Sequence, residues 1–334
     1  MTKITDATPL TNVPSDSDSL SPEDLQHVLE IPLWQVRLRL FWRGLRTNVG
    51  LFAENPIGLV GLGVILFFIL LMVAHPILMD TVWDKNTYDP VLGFDVSVPE
   101  HPAPPSTTHL LGTDPLGRDV LSQLMWSTRS AFVLGLLTAL VTVFFATTIG
   151  AVSAYYGGII DTLFMRLADI VIMTPLITIL IVMAALFDLG IIHLAIILGF
   201  LNGFGGTTII IKSQALTVKV RTFIEAARVA GGGHAHIILN HIIPNLMPLA
   251  FLYMMFGVTG AIFIESVLSF FGLLNIRMSW GLMIHTTEYS GYLLDMSKWW
   301  LIFPASVAIT FLCAAFYLVG RAFDEIINPR LRRR

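Results

Sequence analysis

The chain has 334 residues, 55% of them hydrophobic and only 13% charged, where an ordinary soluble domain carries roughly 25% charge; its mean hydropathy is +0.75. That balance excludes a soluble globular or structural protein and points into a membrane. A formal charge of −3, with the basic residues dispersed until the last five positions, excludes a nucleic-acid partner. The one cysteine, Cys313, excludes an internal disulfide and a Cys-based zinc site, and in its apolar run it reads as a packing residue.

Residues 1–24 are rich in Ser, Thr, Pro and Asp without a hydrophobic period, which predicts a disordered cytoplasmic tail. Residues 25–53 interleave Leu33, Trp34, Leu38, Phe41, Trp42 and Leu45 with Arg37, Arg39, Arg43 and Arg46. This basic amphipathic juxtamembrane segment suits the inner membrane surface, and lipid contact and packing against the protein's own spans are equally open. Residues 1–30 hold no apolar core of signal-peptide length, so the first span is expected to anchor the chain.

From residue 54 to 334 the sequence reads as an all-α transmembrane domain. A helix crossing about 30 Å of hydrocarbon needs roughly 20 apolar residues. Six stretches free of Asp, Glu, Lys and Arg qualify, at about 57–79, 130–153, 168–187, 190–211, 246–268 and 299–320. With the N-terminus inside, fifteen of the twenty Lys and Arg fall on the cytoplasmic side, which places both termini there. Residues 80–129 then form a long outer segment with seven acids and the Pro cluster His101-Pro102-Ala103-Pro104-Pro105. Asp188-Leu189-Gly190 makes a tight outer hairpin between spans three and four, and residues 212–245 form a cytoplasmic loop. No internal repeat is visible, and no pair of Gly- or Pro-broken helices is expected.

Within that loop Glu225 to Ala230 is a strong helix former, with Ala226 and Ala227 small, and Gly231 is a favoured residue just past a helix end. A short helix presented below the membrane is a docking element. The spacing of Glu225-Ala226-Ala227, Gly231 and Pro244 resembles the cytoplasmic signature of permease subunits of binding-protein-dependent ABC importers. Leu111-Gly112-Thr113-Asp114-Pro115-Leu116-Gly117-Arg118-Asp119-Val120-Leu121-Ser122 is similar to the segment before span two in the dipeptide, oligopeptide and nickel branch, within its C-type subunits. Tyr155-Tyr156-Gly157-Gly158 with Asp161, Met165, Arg166 and Asp169, then Ser269-Phe270-Phe271-Gly272, Ser279-Trp280-Gly281 and Asn328-Pro329-Arg330-Leu331 fit the same pattern, so the resemblance covers about residues 54–331. Two departures stand out: Leu273 to Met278 is shorter than usual and lacks proline, and Arg321 follows Gly320 where an acid is common.

The resemblance implies a type I importer permease fold in the cell inner membrane and no cofactor in this chain. It also implies that separate ATPase subunits, one or two in kind, bind ATP and Mg and receive the helix at Glu225 in a groove. A second homologous permease would complete the pathway, and an extracytoplasmic binding protein would deliver the substrate. Short peptides are the expected cargo, with oligosaccharides and nickel chelates as alternatives, and an ATPase-independent secondary transporter is the competing class.

Other residues carry weaker signals. Glu265 near the outer end of span five and Asp188 at the end of span three are costly against lipid, so they are expected to face the interior or water, as pathway, gate or helix-end groups. His234, His236 and His241 lie close together, but packing or solvated histidines are expected rather than a metal site. Arg166 and Asp169 are spaced to pair, and the glycines of the spans read as helix-packing positions. The sequence has no G-x-x-x-x-G-K-[ST], H-E-x-x-H or G-x-S-x-G, so catalysis by this chain is not expected.

Overall fold

The computed structural model describes residue 50 and residues 52–327. The expected tail (1–24), nearly all of the juxtamembrane segment (25–53) and the closing Asn328-Pro329-Arg330-Leu331 lie outside these residues. The described residues from Phe52 onward pack as one unit, whose regular structure is helical apart from an isolated bridge between Thr113 and Asp119.

Helix α1 (Pro56–Thr81) starts where the Asn55 side chain accepts the Gly58 N–H at 3.0 Å, with proline in its first turn, where a missing N–H costs nothing. A one-turn helix α2 (Lys85–Tyr88) follows in the segment before the next long helix. Helix α3 (Val120–Tyr156) is 37 residues long and begins at Asp119, whose carboxylate accepts the Ser122 N–H at 2.6 Å. It is the central post: the helices Ile191–Phe204, Gly206–Lys219 and Ile243–Phe270 all pack along it, and the last of these carries Phe303–Ile327, which in turn packs on α1.

Helices α4 (Gly158–Met173) and α5 (Leu176–Leu186) bend by 81° where the sequence predicts one span at 168–187. Pro175 has no N–H to continue the ladder, and it forces Thr174 into an extended conformation, φ −88° and ψ 128°. Helices α6 (Ile191–Phe204) and α7 (Gly206–Lys219) bend by 44° at Gly205, inside the span expected at 190–211. The paired Pro and Gly breaks correct the expectation that no such pair exists. Among the described residues four helices are long and apolar enough to cross a bilayer alone, and up to six spans result when each bent pair is counted as one.

Helix α8 (Thr222–Val229) is short. The one-turn α9 (His234–Ile237) then leads through a π-helical turn, Ile238–Ile242, into α10 (Ile243–Phe270). Pro244 explains the π turn, because in a regular α-helix its ring would collide with the Asn240 carbonyl, and one extra residue in the turn relieves the clash. The connection expected over 212–245 is therefore mostly helical. Only Val220–Gly233, with α8 inside it, lies between the long helical segments.

Helix α11 (Trp280–Tyr289) lies against α10 at a distance only glycine allows: a Cβ on Gly281 would stand 2.5 Å from the Ser266 carbonyl oxygen. The Trp280 indole, buried, donates to the Leu124 carbonyl at 3.0 Å. A 3-10 turn, Met296–Leu301, precedes α12 (Phe303–Ile327). The shortened segment 273–278 is held to the span three–four turn by the Asn275 N–H, which donates to the Leu189 carbonyl at 3.0 Å.

Candidate functional site

The two ends of α3 carry the two organised polar regions of the molecule. At its far end Gly157 and Gly158, with φ of +66° and +56°, reverse the chain directly into α4, a pair of left-handed conformations that side chains disfavour. Lys219 at the end of α7 donates to the Ala154 carbonyl at 2.9 Å, placing a cation on the negative end of α3. Lys212 pairs with Asp161 in the first turn of α4 at 2.5 Å. Tyr155, buried, shares a hydrogen bond of 2.7 Å with His234 Nδ1.

On this platform stands α8. Of its eight residues only Ile224 is buried, fully, in a cluster with Tyr155, Ile211, Val218, Ile237, Ile242 and Leu246. Glu225, Ala226 and Arg228 are exposed and Ala227 is partly so. The helix ends in a Schellman turn: the Gly232 N–H donates to the Ala227 carbonyl at 2.9 Å, the Gly231 N–H to the Arg228 carbonyl at 3.1 Å, and Gly231 takes φ +85°. Each side chain of the Glu225-Ala226-Ala227 signature thus projects from a short rigid helix fixed by one anchor and one cap. Pro244 is not part of that helix; it sits in the first turn of α10, exposed, and shapes the approach through the π turn. The three histidines hold no cluster of metal-ligand geometry among the described residues. His234 bonds Tyr155, His236 bonds the Asn240 amide at 2.9 Å, and the His241 ring rests on His236, 5.4 Å between centroids.

Glu265 and Asp188 are brought neither to α8 nor to each other. Glu265 is buried, accepting the Ser269 hydroxyl at 2.6 Å, with Ser266 and Ser279 in hydrogen-bonding reach, and so joins α10 to the start of α11. Asp188 lies exposed in the turn between α5 and α6. Arg166 and Asp169 do pair, at 3.8 Å on the surface of α4.

At the other end of α3 the Leu111–Ser122 motif folds into a buried polar knot. Asp114 accepts the Arg118 guanidinium Nε at 2.7 Å and the Gln123 amide at 2.9 Å. His109, buried, lies between two carboxylates, Nδ1 at 2.8 Å from Asp119 and Nε2 at 3.1 Å from Asp95, with the Tyr88 ring beside it. Carboxylates only accept, so both ring nitrogens must carry protons to satisfy them. The bond to Asp119, chiefly, raises the His109 pKa against the opposing effect of burial.

Sequence reasoning missed the anchor and the breaks. Ile224 stands immediately before the Glu225-Ala226-Ala227 signature, and the sequence pattern gives it no role, although a large aliphatic beside small and charged residues is the signal for an anchor. Thr174-Pro175 and Gly203-Phe204-Gly205-Gly206 are helix-breaking signals within apolar runs.

Spans gathered round one post, with a short anchored helix held outside them, define a polytopic transport permease. The chain belongs to the family described as binding-protein-dependent transport system inner membrane component, whose model matches residues 146–333. It is similar to the dipeptide transport system permease protein DppC of Bacillus subtilis, 30% identical over 87% of this chain and 85% of the relative. It is also similar to the oligopeptide transport system permease proteins OppC of Haemophilus influenzae, 30% identical over 90% and 89%, and of Escherichia coli K12, 28% identical over 89% and 94%. As a multi-pass inner-membrane permease subunit of an ABC transport system the chain is not itself catalytic and has no cofactor. ATP is bound by the system's ATPase subunits, and permease and binding-protein partners complete such a system.

Proposed function

We propose that this chain is the C-type permease subunit of an ATP-driven importer of di- or oligopeptides, with both termini and α8 on the cytoplasmic side. It pairs with one homologous permease and with one or two kinds of ATPase subunit, and a binding protein delivers the peptide at the opposite face. Residues 54–334 are the permease domain. The observation that carries the coupling role is α8 itself, a helix with one buried side chain and every other position at least partly exposed, standing on the ends of α3, α7 and α10. Closure of the ATPase pair on ATP moves α8, and because Ile224, Tyr155 and Lys219 tie its platform to α3 and α7, those helices move with it. ATP acts only by stabilising one of two states more than the other. Peptide cargo is supported by the names of the relatives; an oligosaccharide or nickel-chelate cargo is the second choice because the same motifs suit those systems.

The test is to tag the C-terminus, extract the complex gently and identify what co-purifies, then reconstitute it with its binding protein and measure labelled-peptide uptake. A second permease and an ATPase recovered with the wild type, and lost with Glu225→Arg, support the assignment. Recovery of the chain alone, with uptake that follows an ion gradient and ignores ATP, overturns it.

A further inference from the structure

Two spans of this chain are broken at one depth, and the broken ends face each other. From the turn at residues 187–190, the 11 residues of α5 carry the chain roughly 16 Å inward at 1.5 Å per residue before it breaks. Asn202, twelfth in α6, lies roughly 18 Å in by the same count. Half of a hydrocarbon core of about 30 Å is about 15 Å, so both breaks lie near its middle. Between them is a cavity of about 530 Å³, lined among others by Thr174, Pro175, Asn202, Gly205, Gly206 and Thr207.

Irregular backbone at that depth persists only where protein buries it or water reaches it. Part of the demand is met locally: the Thr174 hydroxyl donates to the Ile170 carbonyl at 2.7 Å, and the Thr208 hydroxyl to the Gly203 carbonyl. The Asn202 amide and the Thr207 hydroxyl have no hydrogen-bond partner among the described residues, and both line the cavity. A primary amide held without a partner against lipid is unfavourable, so its partner must enter the cavity.

We propose that this cavity is hydrated and receives uncharged hydrogen-bonding groups of the transported ligand, the main-chain amides of a peptide, on Asn202, Thr207 and the backbone of the two breaks. No Asp, Glu, Lys, Arg or His lines it, so it offers nothing to a ligand's charges and does not sort side chains by sign. Amides are common to every peptide, and a site built from an amide, a hydroxyl and open backbone reads what all peptides share. The volume lies within the roughly 300–1,000 Å³ range of small-ligand sites. The hydration stands on the geometry alone; the identity of the ligand rests on the peptide-importer assignment above.

The single native thiol makes the test direct. In the assembled transporter carrying Cys313→Ser, cysteines are placed one at a time at Asn202, Thr207 and, as a lipid-facing control, the exposed Ile196. They are reacted with a charged methanethiosulfonate reagent in proteoliposomes. Asn202→Cys and Thr207→Cys are expected to react at least tenfold faster than Ile196→Cys, and to slow at least fivefold when binding protein, ATP and transported peptide are present together. Reaction no faster than the control in every nucleotide state overturns the hydration, as does reaction seen only when the second permease is stripped away, because the partner then fills the space. Should Asn202→Cys not assemble, Thr207→Cys gives the same reading alone. Labelled-peptide uptake in the same vesicles separates the remaining failures: peptide transported without protection overturns the ligand assignment of the cavity. Absence of peptide transport by the wild type overturns the peptide cargo and with it the amide ligand, while the hydration is still decided by the reaction rates.

Discussion

Ile224→Ala is expected to release α8 from its platform while leaving the spans assembled. Ile224 is fully buried and is the only buried side chain of that helix. Truncating a buried isoleucine to alanine costs about 2–5 kcal/mol, the spread reflecting how far the site can collapse. An eight-residue helix has almost no stability of its own in water, and no side chain caps its start at Arg221. The loss therefore falls on docking, and about 2–5 kcal/mol shifts the ratio of docked to released helix by roughly 30- to 5,000-fold. Amide exchange over residues 222–230, measured by mass spectrometry in nanodiscs, should accelerate by about that factor while α3 and α10 keep their protection. ATP-driven uptake should fall with it. Ile224→Val, at about 0.5–1.5 kcal/mol, should retain most of both. Exchange within twofold of wild type in Ile224→Ala would refute the single-anchor account, and accelerated exchange with normal uptake would refute the coupling role of α8.

Glu225→Arg should leave the thermal midpoint of the detergent-solubilised chain within about a degree, because surface changes are usually within about 0.5 kcal/mol, while abolishing uptake; normal uptake removes Glu225 from the coupling surface. Gly231→Val places a β-branched residue at φ +85° and should cost about 1–3 kcal/mol, read as faster exchange at Arg228 to Gly232. Gly281→Ala forces a methyl against the Ser266 carbonyl, and overpacking of this kind costs about 1–3 kcal/mol, whereas Gly63→Ala, with open space around it, should not destabilise; equal thermal midpoints would show that α11 is free to move off α10. The raised pKa of His109 means that its bonds to Asp119 and Asp95 contribute fully below the ordinary histidine range and are lost as pH climbs through the raised value. Asp95, held low chiefly by the Ser97 hydroxyl, works the other way and is lost only in acid. Exchange over residues 89–109, corrected for intrinsic rate, should therefore be flat across weakly acidic pH and step up on the alkaline side. His109→Gln should remove the step, and a wild type without one would count against a protonated His109.

The spans α1, α3, α10 and α12 were legible because hydropathy reports what lipid demands, and Pro76 and Pro248, inside α1 and α10, do not end those helices. Hydropathy is blind to a bend, however. Thr174-Pro175 and Gly205 are as tolerable to lipid as the residues around them once their backbone faces a cavity, so the runs at 168–187 and 190–211 looked whole. The extent of α3 was underestimated because Arg129, the tenth residue of the helix, ends a charge-free window although a helix accommodates it without a break. Between α7 and α10 the helix and its Gly231 stop were legible from local propensity. Its fixation was not, since Ile224 meets Tyr155 and Ile242 only after the ends of α3, α7 and α10 have converged. Glu265 was legible as a costly residue, but the serines that satisfy it come from its own helix and from the turn before α11, a meeting that no spacing rule announces.

The length of α3 sets the molecule's relation to membrane thickness. Thirty-seven residues make roughly 55 Å of helix, more than the roughly 40–45 Å of a whole bilayer with its headgroups. With Asp119 and His109 knotted at one tip and Tyr155 bonded to His234 at the other, the polar knot and the platform of α8 are spaced by a rod rather than by the lipid. A bilayer a few ångströms thinner or thicker leaves that spacing unchanged. The mismatch is taken up instead by the bent pairs beside it, whose angles at Thr174-Pro175 and Gly205 can open or close without tearing a hydrogen-bond ladder already interrupted there.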